Sequence, residues 1–142
     1  MSVNTLVVPP SPLAASALVA VGGAAGSVLR YQIGRAVTHL AGPTHAFPWG
    51  TLAINILGSL LMGALLGWLA RGTSAAENAE SMRLLIGVGL LGGFTTFSAF
   101  SAELVTMLHR GQAGMAIGYA AASLIAGMAA VLIGLIAAQS AA

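Results

Sequence analysis

Four long apolar stretches alternate with short polar ones along this chain. Each is long enough to cross the hydrocarbon core of a bilayer, which takes about 20 residues in a helix. They run over residues 13–40, 48–70, 82–109 and 114–138. The pattern predicts an all-α membrane protein with four transmembrane helices.

The polar punctuation agrees with these spans. Residues 41–44 predict a turn, residues 71–81 a polar loop that holds Glu77 and Glu80, and residues 109–112 a tight connection. Three prolines before position 13 disfavour a helix there. We therefore expect a flexible N-terminal tail over residues 1–12 and a single four-helix transmembrane domain over residues 13–142.

Composition strengthens this prediction. Hydrophobic residues make up 58% of the 142 positions and charged residues 6%, whereas soluble domains carry about 25% charged residues. The surroundings of most of the chain are therefore expected to be membrane lipid. A nucleic-acid partner is not expected, because no basic stretch with interleaved aromatic residues occurs.

The arginines leave the orientation open. Arg71 and Arg83 fall on the predicted side of the termini, and Arg35 and Arg110 on the other side. Because each side carries two of these arginines, the positive-inside rule gives no preferred orientation. Either the predicted boundaries are imprecise, or the protein inserts in both orientations.

Small residues recur every four positions on the first two helices, so they share a helix face. Such faces let helix backbones approach closely in membranes. Arg30 and Asn55 stand in these rows and should therefore point at protein or an aqueous cavity rather than at lipid. The rows consist of Gly22, Gly26, Arg30, Gly34 and Thr38, and of Asn55, Ser59, Gly63 and Gly67.

Enzyme chemistry finds little support in the sequence. Residues 87–92 match the dinucleotide pattern Gly-x-Gly-x-x-Gly, but that pattern has meaning only between a strand and a helix. Inside a spanning segment these glycines are interpreted as packing residues. The three histidines show no metal-ligand spacing, so the protein is not expected to be an enzyme.

The most informative stretch covers residues 92–103, Gly-Gly-Phe-Thr-Thr-Phe-Ser-Ala-Phe-Ser-Ala-Glu. Two glycines and two β-branched threonines stand together near the middle of the third span, where a helix would break most easily. A break would expose backbone carbonyls able to hold a cation. The alternative is a glycine-rich kink that binds nothing.

Two phenylalanines in this stretch suggest anion chemistry. Phe97 and Phe100 are three residues apart and share a helix face. The edge of an aromatic ring is electropositive, and the Asn55 amide has two N–H donors. These groups could coordinate a small anion weakly, with Ser98, Tyr119 and Ser123 extending a polar track. The alternative is that both rings only pack against core or lipid.

Three motifs together resemble the CrcB/Fluc family of fluoride channels. The first covers residues 22–31, Gly-Gly-Ala-Ala-Gly-Ser-Val-Leu-Arg-Tyr; the second covers residues 50–55 together with Gly58 and Ser59; the third covers residues 92–103. The resemblance implies a fluoride-selective channel of the inner cell membrane, which exports cytoplasmic fluoride by passive electrodiffusion.

The resemblance also implies an assembly and a set of site residues. The assembly is an antiparallel, dual-topology homodimer with a broken third helix, two fluoride pores and a central structural Na⁺. The pore residues implied are Asn55, Phe97, Phe100, Ser98, Tyr119 and Ser123; the vestibule residues are Arg30 and Glu103; the Na⁺ ligands are the backbone carbonyls of Gly92 and Thr95 of each subunit. One departure is Ala99, where family members often carry a hydroxyl; this bears on conduction rate more than on selectivity.

Two rival functions remain at this stage. A small four-helix drug antiporter coupled to protons needs a membrane-embedded carboxylate that titrates, and Glu103 is the candidate. A membrane scaffold without transport activity would need neither a broken helix nor Asn55.

Overall fold

The computed structural model describes residues 9–42, 47–72 and 76–141, and all of its regular structure in these ranges is helical. Helix α1 covers Pro12–Ala41, α2 covers Trp49–Ala70 and α5 covers Ala113–Ser140. The third span consists of two helical pieces, α3 and α4. Within the described residues, four helices are long and apolar enough to cross a membrane: Pro12–Ala41, Trp49–Ala70, Asn78–His109 and Ala113–Ser140. The predicted all-α architecture with four spans is confirmed.

Helix α3 comprises three consecutive segments, namely Ala76–Met82, a π-helical segment Arg83–Leu91, and Gly92–Phe94. Helix α4 then runs over Phe97–His109. The predicted start of the third helix at residue 82 was wrong, and so was the assignment of residues 76–81 to a loop. Hydropathy marks where a helix enters lipid, whereas the helix itself continues into water. Glu80 and Arg83 pair there at 2.8 Å across one helical turn.

The helix ends follow local chemistry. The Ser11 hydroxyl accepts from the Ala14 N–H at 3.3 Å, and Pro12 stands in the first turn of α1, where its missing N–H costs nothing. Helix α1 thus begins one residue before the predicted position, and residues 1–8 of the predicted tail lie outside the described residues. The connection at 109–112 is as tight as predicted, because Gly111 adopts φ 72°. Of the predicted turn at 41–44, Gly42 has φ 93°, and positions 43 and 44 lie outside the described residues.

The four spans pack most extensively as two parallel pairs, α1 with α3 and α2 with α5. Glycines set the separation in both pairs. A Cβ at Gly26 would collide with the Leu90 carbonyl, and one at Gly63 would collide with the Val131 carbonyl. In the predicted small-residue rows, Gly22 and Gly26 of α1 and Gly63 and Gly67 of α2 therefore lie at the contacts of these pairs, whereas Gly34 of α1 packs on Ile54 of α2.

Two of the three glycines in the dinucleotide-like pattern are packing residues, as interpreted from the sequence. A Cβ on Gly89 would stand 2.9 Å from the Val19 carbonyl and 3.0 Å from the Gly22 Cα of α1, and one on Gly87 would stand 3.2 Å from the Leu65 side chain of α2. Gly92 is exposed, and among the described residues a Cβ there would meet only the Gly87 carbonyl of its own span, at 3.8 Å.

The outer surface is strongly apolar. Large aliphatic side chains of α5 such as Ile125, Met128 and Ile133 are 60% or more exposed. In water such a surface would aggregate, whereas in lipid it is the expected exterior. The chain is a multi-pass membrane protein.

Candidate functional site

The third span loses helical geometry at two residues, Thr95 and Thr96. Thr95 has φ −80° and ψ 160°, and Thr96 has φ −150° and ψ 118°. Both are therefore extended, with α3 ending at Phe94 and α4 beginning at Phe97. Side chains branched at Cβ favour this conformation. The two residues lie within the stretch 92–103 that the sequence analysis singled out.

Every backbone polar group of these two residues has a partner. The Thr95 N–H donates to the Leu91 carbonyl at 2.9 Å, and its carbonyl accepts from Arg30 Nη1 at 3.3 Å. The Thr96 N–H donates to Asn55 Oδ1 at 2.9 Å, and its carbonyl accepts from Asn55 Nδ2 at 3.1 Å. Side chains from α1 and α2 thus supply what the interrupted helix no longer provides.

Threonine hydroxyls complete the two helix ends. The Thr96 hydroxyl accepts from the Ala99 N–H at 3.2 Å and so caps the N-terminus of α4. The Thr95 hydroxyl donates to the Leu91 carbonyl at 2.9 Å. The positive end of the α4 dipole consequently lies at the interruption.

A first groove, of about 330 Å³, opens beside the interruption. It brings together four predicted pore residues, Asn55, Phe97, Phe100 and Ser123. The ring centroids of Phe97 and Phe100 are 5.9 Å apart, and Phe97 is 80% exposed. The rest of the wall is formed by Gly58, Ser59, Met62, Thr95, Thr96, Leu124 and Val131.

Ser123 has the most conspicuous polar atom in this groove. Its Oγ is buried and has no hydrogen-bond partner within the described ranges 9–42, 47–72 and 76–141. Buried hydroxyls are normally satisfied, so Ser123 has hydrogen-bonding capacity that the described residues leave unused, although its Oγ itself is not exposed to the groove in the single chain.

A second groove, of about 490 Å³, lies on another side of the interruption. Arg30 and Ser98 line it, together with Thr51, Ile54, Thr96 and Ala99. The structure therefore places Ser98 in a different groove from Ser123, another of the predicted pore hydroxyls. Thr96 is common to both grooves.

Glu103 is tied to α2 and α5 by both of its carboxylate oxygens. The Thr51 hydroxyl donates to Oε1 at 2.6 Å, and the Tyr119 hydroxyl donates to Oε2 at 2.8 Å. Tyr119 is fully buried and lines neither of the two grooves. The hydrogen bonds thus join Thr51, Glu103 and Tyr119 into one polar cluster between α2, α4 and α5.

An aromatic row continues from the first groove toward the start of α2. Phe100 contacts Tyr119 at a centroid distance of 5.1 Å, and Phe47 meets Tyr119 edge-on at 5.4 Å. Phe47 also packs on Trp49 at 4.5 Å. The Tyr119 ring is thereby clamped between two phenyl rings.

Sequence reasoning missed Thr51 and Phe47 as members of this region. Thr51 could have been found, because it stands four residues before Asn55 in the same row of α2. Phe47 carries no such signal, since it precedes the helix and its place depends on the fold of the chain before α2.

Both residues predicted to avoid lipid do so. Asn55 and Arg30 are half-buried and direct their side chains at Thr96 and Thr95. In the described part of the chain, no three histidine or acidic side chains converge as a metal site would require.

Comparison with known proteins places these features in a family. A family model described as "CrcB-like protein, Camphor Resistance (CrcB)" matches residues 17–135. A protein of Novosphingobium aromaticivorans named fluoride-specific ion channel FluC is 54% identical over 123 residues, which cover 87% of this chain and 94% of the relative.

Two further relatives carry the same name. The protein of Erythrobacter litoralis is 51% identical over 126 residues, covering 87% of this chain and 91% of its own length. The protein of Agrobacterium fabrum is 51% identical over 119 residues, covering 84% and 91%. Both matches extend over nearly the whole relative. The chain belongs to the CrcB-like family, as its three sequence motifs indicated.

Proposed function

We propose that this protein is a fluoride-specific channel that lets cytoplasmic fluoride leave the cell through the inner membrane by passive electrodiffusion. The observation that carries the proposal is the first groove, where Asn55, Phe97, Phe100 and Ser123 converge beside the interrupted helix. The names of the relatives point to the same ion.

This groove offers an anion several weak contacts rather than one strong one. A bare fluoride must exchange its water shell for other donors, yet it must also leave again. The Phe97 and Phe100 rings offer electropositive edges. One N–H of Asn55 is committed to Thr96, which leaves the second for the ion, and the Ser123 hydroxyl has no competing partner among the described residues. No single contact is strong enough to trap the ion.

The membrane potential supplies the direction. An inside-negative potential drives one negative charge outward with about 2.3 kcal/mol per 100 mV. Proton coupling, as in a drug antiporter, needs a membrane-embedded carboxylate on the transport path, but Glu103 lines neither groove and is hydrogen-bonded to Thr51 and Tyr119 instead. A fluoride channel is therefore favoured over the antiporter.

We further propose that two chains associate as an antiparallel homodimer with two pores. The balance of Arg71 and Arg83 against Arg35 and Arg110 supports insertion in both orientations. Phe97, near the middle of the third span, is 80% exposed on a single chain, so a second copy would cover it. Each protomer then contributes one first groove.

The proposed central Na⁺ would be held by the Gly92 and Thr95 carbonyls of each subunit. These residues fit the ion. In a continuous helix Gly92 O would accept from the Thr96 N–H, but that N–H donates to Asn55 instead. Thr95 O accepts from Arg30, and a carbonyl has a second lone pair for another partner. When bound, the ion would join carbonyls of two chains electrostatically.

Reconstituted protein should show fast, electrogenic fluoride efflux. In liposomes loaded with potassium fluoride, a fluoride electrode should record efflux only after valinomycin provides a counter-current, and a proton gradient should not change the rate. Efflux driven by the proton gradient, or movement of an organic cation with protons, would instead establish an antiporter. Tight liposomes in the presence of valinomycin would contradict both.

Asn55→Asp should lower fluoride flux by roughly tenfold or more, equivalent to about 1.4 kcal/mol of barrier. The carboxylate removes the donor to the Thr96 carbonyl and places a negative charge on the anion route. Asn78→Asp makes the same chemical change at an exposed position near the start of the third span and should keep wild-type flux. Wild-type efflux by Asn55→Asp would exclude this residue from the pathway.

Replacing both rings, Phe97→Ile with Phe100→Ile, should preserve folding and reduce fluoride flux by at least roughly tenfold. The branched aliphatic side chain fills space but has no electropositive edge. Folding is checked by circular dichroism and by gel filtration in detergent. Unchanged flux in a well-folded variant would mean that the rings only pack.

Withdrawal of sodium should weaken both assembly and transport. In sodium-containing detergent solution, light scattering should give twice the chain mass of 14.1 kDa, and replacing sodium by N-methylglucamine should shift the population toward monomer and slow efflux. A monomer in sodium would overturn the homodimer. A dimer with full flux after exhaustive sodium removal would overturn the Na⁺ site.

A further inference from the structure

Arg30 donates a hydrogen bond to a backbone carbonyl, which a side chain that only attracted anions by its charge would not need. Its Nη1 lies 3.3 Å from the carbonyl oxygen of Thr95, sixty-five residues away in sequence. We infer that Arg30 is a positioning residue, which holds the Thr95 carbonyl and thereby the extended conformation of the interruption. Its effect on transport then comes from this hydrogen bond rather than from its charge alone.

The register of α1 places Arg30 at this level. Gly22, Gly26 and Arg30 stand in one row of α1. A Cβ on Gly26 would lie 2.8 Å from the Phe94 N and would collide with the Leu90 carbonyl. Because backbone meets backbone here, the next residue in the row, Arg30, reaches the carbonyl of Thr95, the residue that follows Phe94. If α1 shifted along α3 by one turn, the packing of Gly26 against α3 and the hydrogen bond from Arg30 to Thr95 would be lost together.

Arg30 also completes the arrangement that Asn55 begins. Asn55 holds the N–H and the carbonyl of Thr96, and Arg30 holds the preceding carbonyl. Without the guanidinium, the Thr95 carbonyl keeps no hydrogen-bond donor among the described residues. The proposed Na⁺ would then be the one remaining partner of this carbonyl, and with no donor to fix its direction in the membrane the local backbone would rearrange, and with it the Thr96 groups that both grooves share.

A purely electrostatic role predicts a different salt dependence. Attraction of fluoride by a charge lining an open groove is screened as ionic strength rises, since the Debye length falls from about 30 Å at 0.01 M to about 3 Å at 1 M. A hydrogen bond to a backbone carbonyl does not respond to salt in this way. The two roles can therefore be separated by measuring the same variant at two ionic strengths.

The sequence offers a direct spectroscopic probe of this peptide bond. Thr95–Thr96 is the one place in the chain where threonine follows threonine. Labelling threonine with a ¹³C carbonyl and ¹⁵N therefore gives a single coupled carbonyl–amide pair, which reports the Thr95 carbonyl and the Thr96 N–H. In Arg30→Met the carbonyl resonance should move upfield and the amide resonance should shift as well. In Arg30→Lys, which keeps a donor on a long side chain, it should return toward the wild-type position.

Arg35→Met is the matched control. It removes the same charge from the same helix, but Arg35 lies over the Tyr31 ring at 6.0 Å rather than on the interruption. All variants are compared as equal amounts of purified protein with the assembly state of the wild type. The control should leave both the Thr95–Thr96 resonances and the fluoride flux unchanged.

The fluoride-flux measurement rests on the proposed function, whereas the measurement of the Thr95–Thr96 resonances does not. Arg30→Met should lower fluoride efflux by roughly tenfold, as expected for loss of a hydrogen bond from a charged group, and by the same factor at 0.01 M and 1 M salt, with partial rescue by Arg30→Lys. Unmoved resonances, or a flux defect that disappears at 1 M salt, would overturn the inference. Absence of fluoride flux in the wild type would overturn the proposed function instead, and the resonance result would still decide the role of Arg30.

Discussion

The structure depends on one constraint. The backbone N–H and C=O groups of Thr95 and Thr96, in the middle of a membrane span, must all have hydrogen-bond partners. Bilayer interiors offer no water to replace a lost helical hydrogen bond. Here a guanidinium and a carboxamide, carried by two neighbouring helices, take the place of that water. The interruption is consequently a property of three helices together, and it cannot be assigned to the third span alone.

Close helix packing makes this arrangement possible. A Cβ on Gly26 of α1 would collide with the Leu90 carbonyl, and one on Gly58 of α2 would collide with the Thr95 side chain, so both helices lie close against the third span near its interruption. Arg30, one turn after Gly26, and Asn55, one turn before Gly58, then reach the interruption from two directions. Small residues thus do more than save space, since they set the position from which a polar side chain acts.

Much of this could be predicted from the sequence because the bilayer imposes simple rules. The spans follow from apolar length, and the stretch 92–103 stood out because Gly92, Gly93, Thr95 and Thr96 combine two kinds of helix-disfavouring residue. The early start of the third helix was missed because hydropathy ends where lipid ends. The burial of Tyr119, its bond to Glu103 and the separation of Ser98 from Ser123 were not predictable, since they depend on how α4 and α5 are rotated against α2.

The double hydrogen bond between Asn55 and Thr96 also fixes which way the carboxamide faces. If the amide turned by 180°, its oxygen would face the Thr96 carbonyl oxygen and its NH₂ would face the Thr96 N–H. Acceptor would then face acceptor and donor would face donor. The terminal group therefore cannot swap its two ends as a free asparagine can. Because the Asn55 amide is held in this way, its remaining N–H keeps one direction in the first groove. The rotational entropy of that donor is therefore lost during folding and would not be lost again when an ion arrives. If the first groove conducts fluoride as proposed, such a site could not turn an oxygen toward a passing cation, and discrimination by sign of charge would be built into the fold before any ion enters.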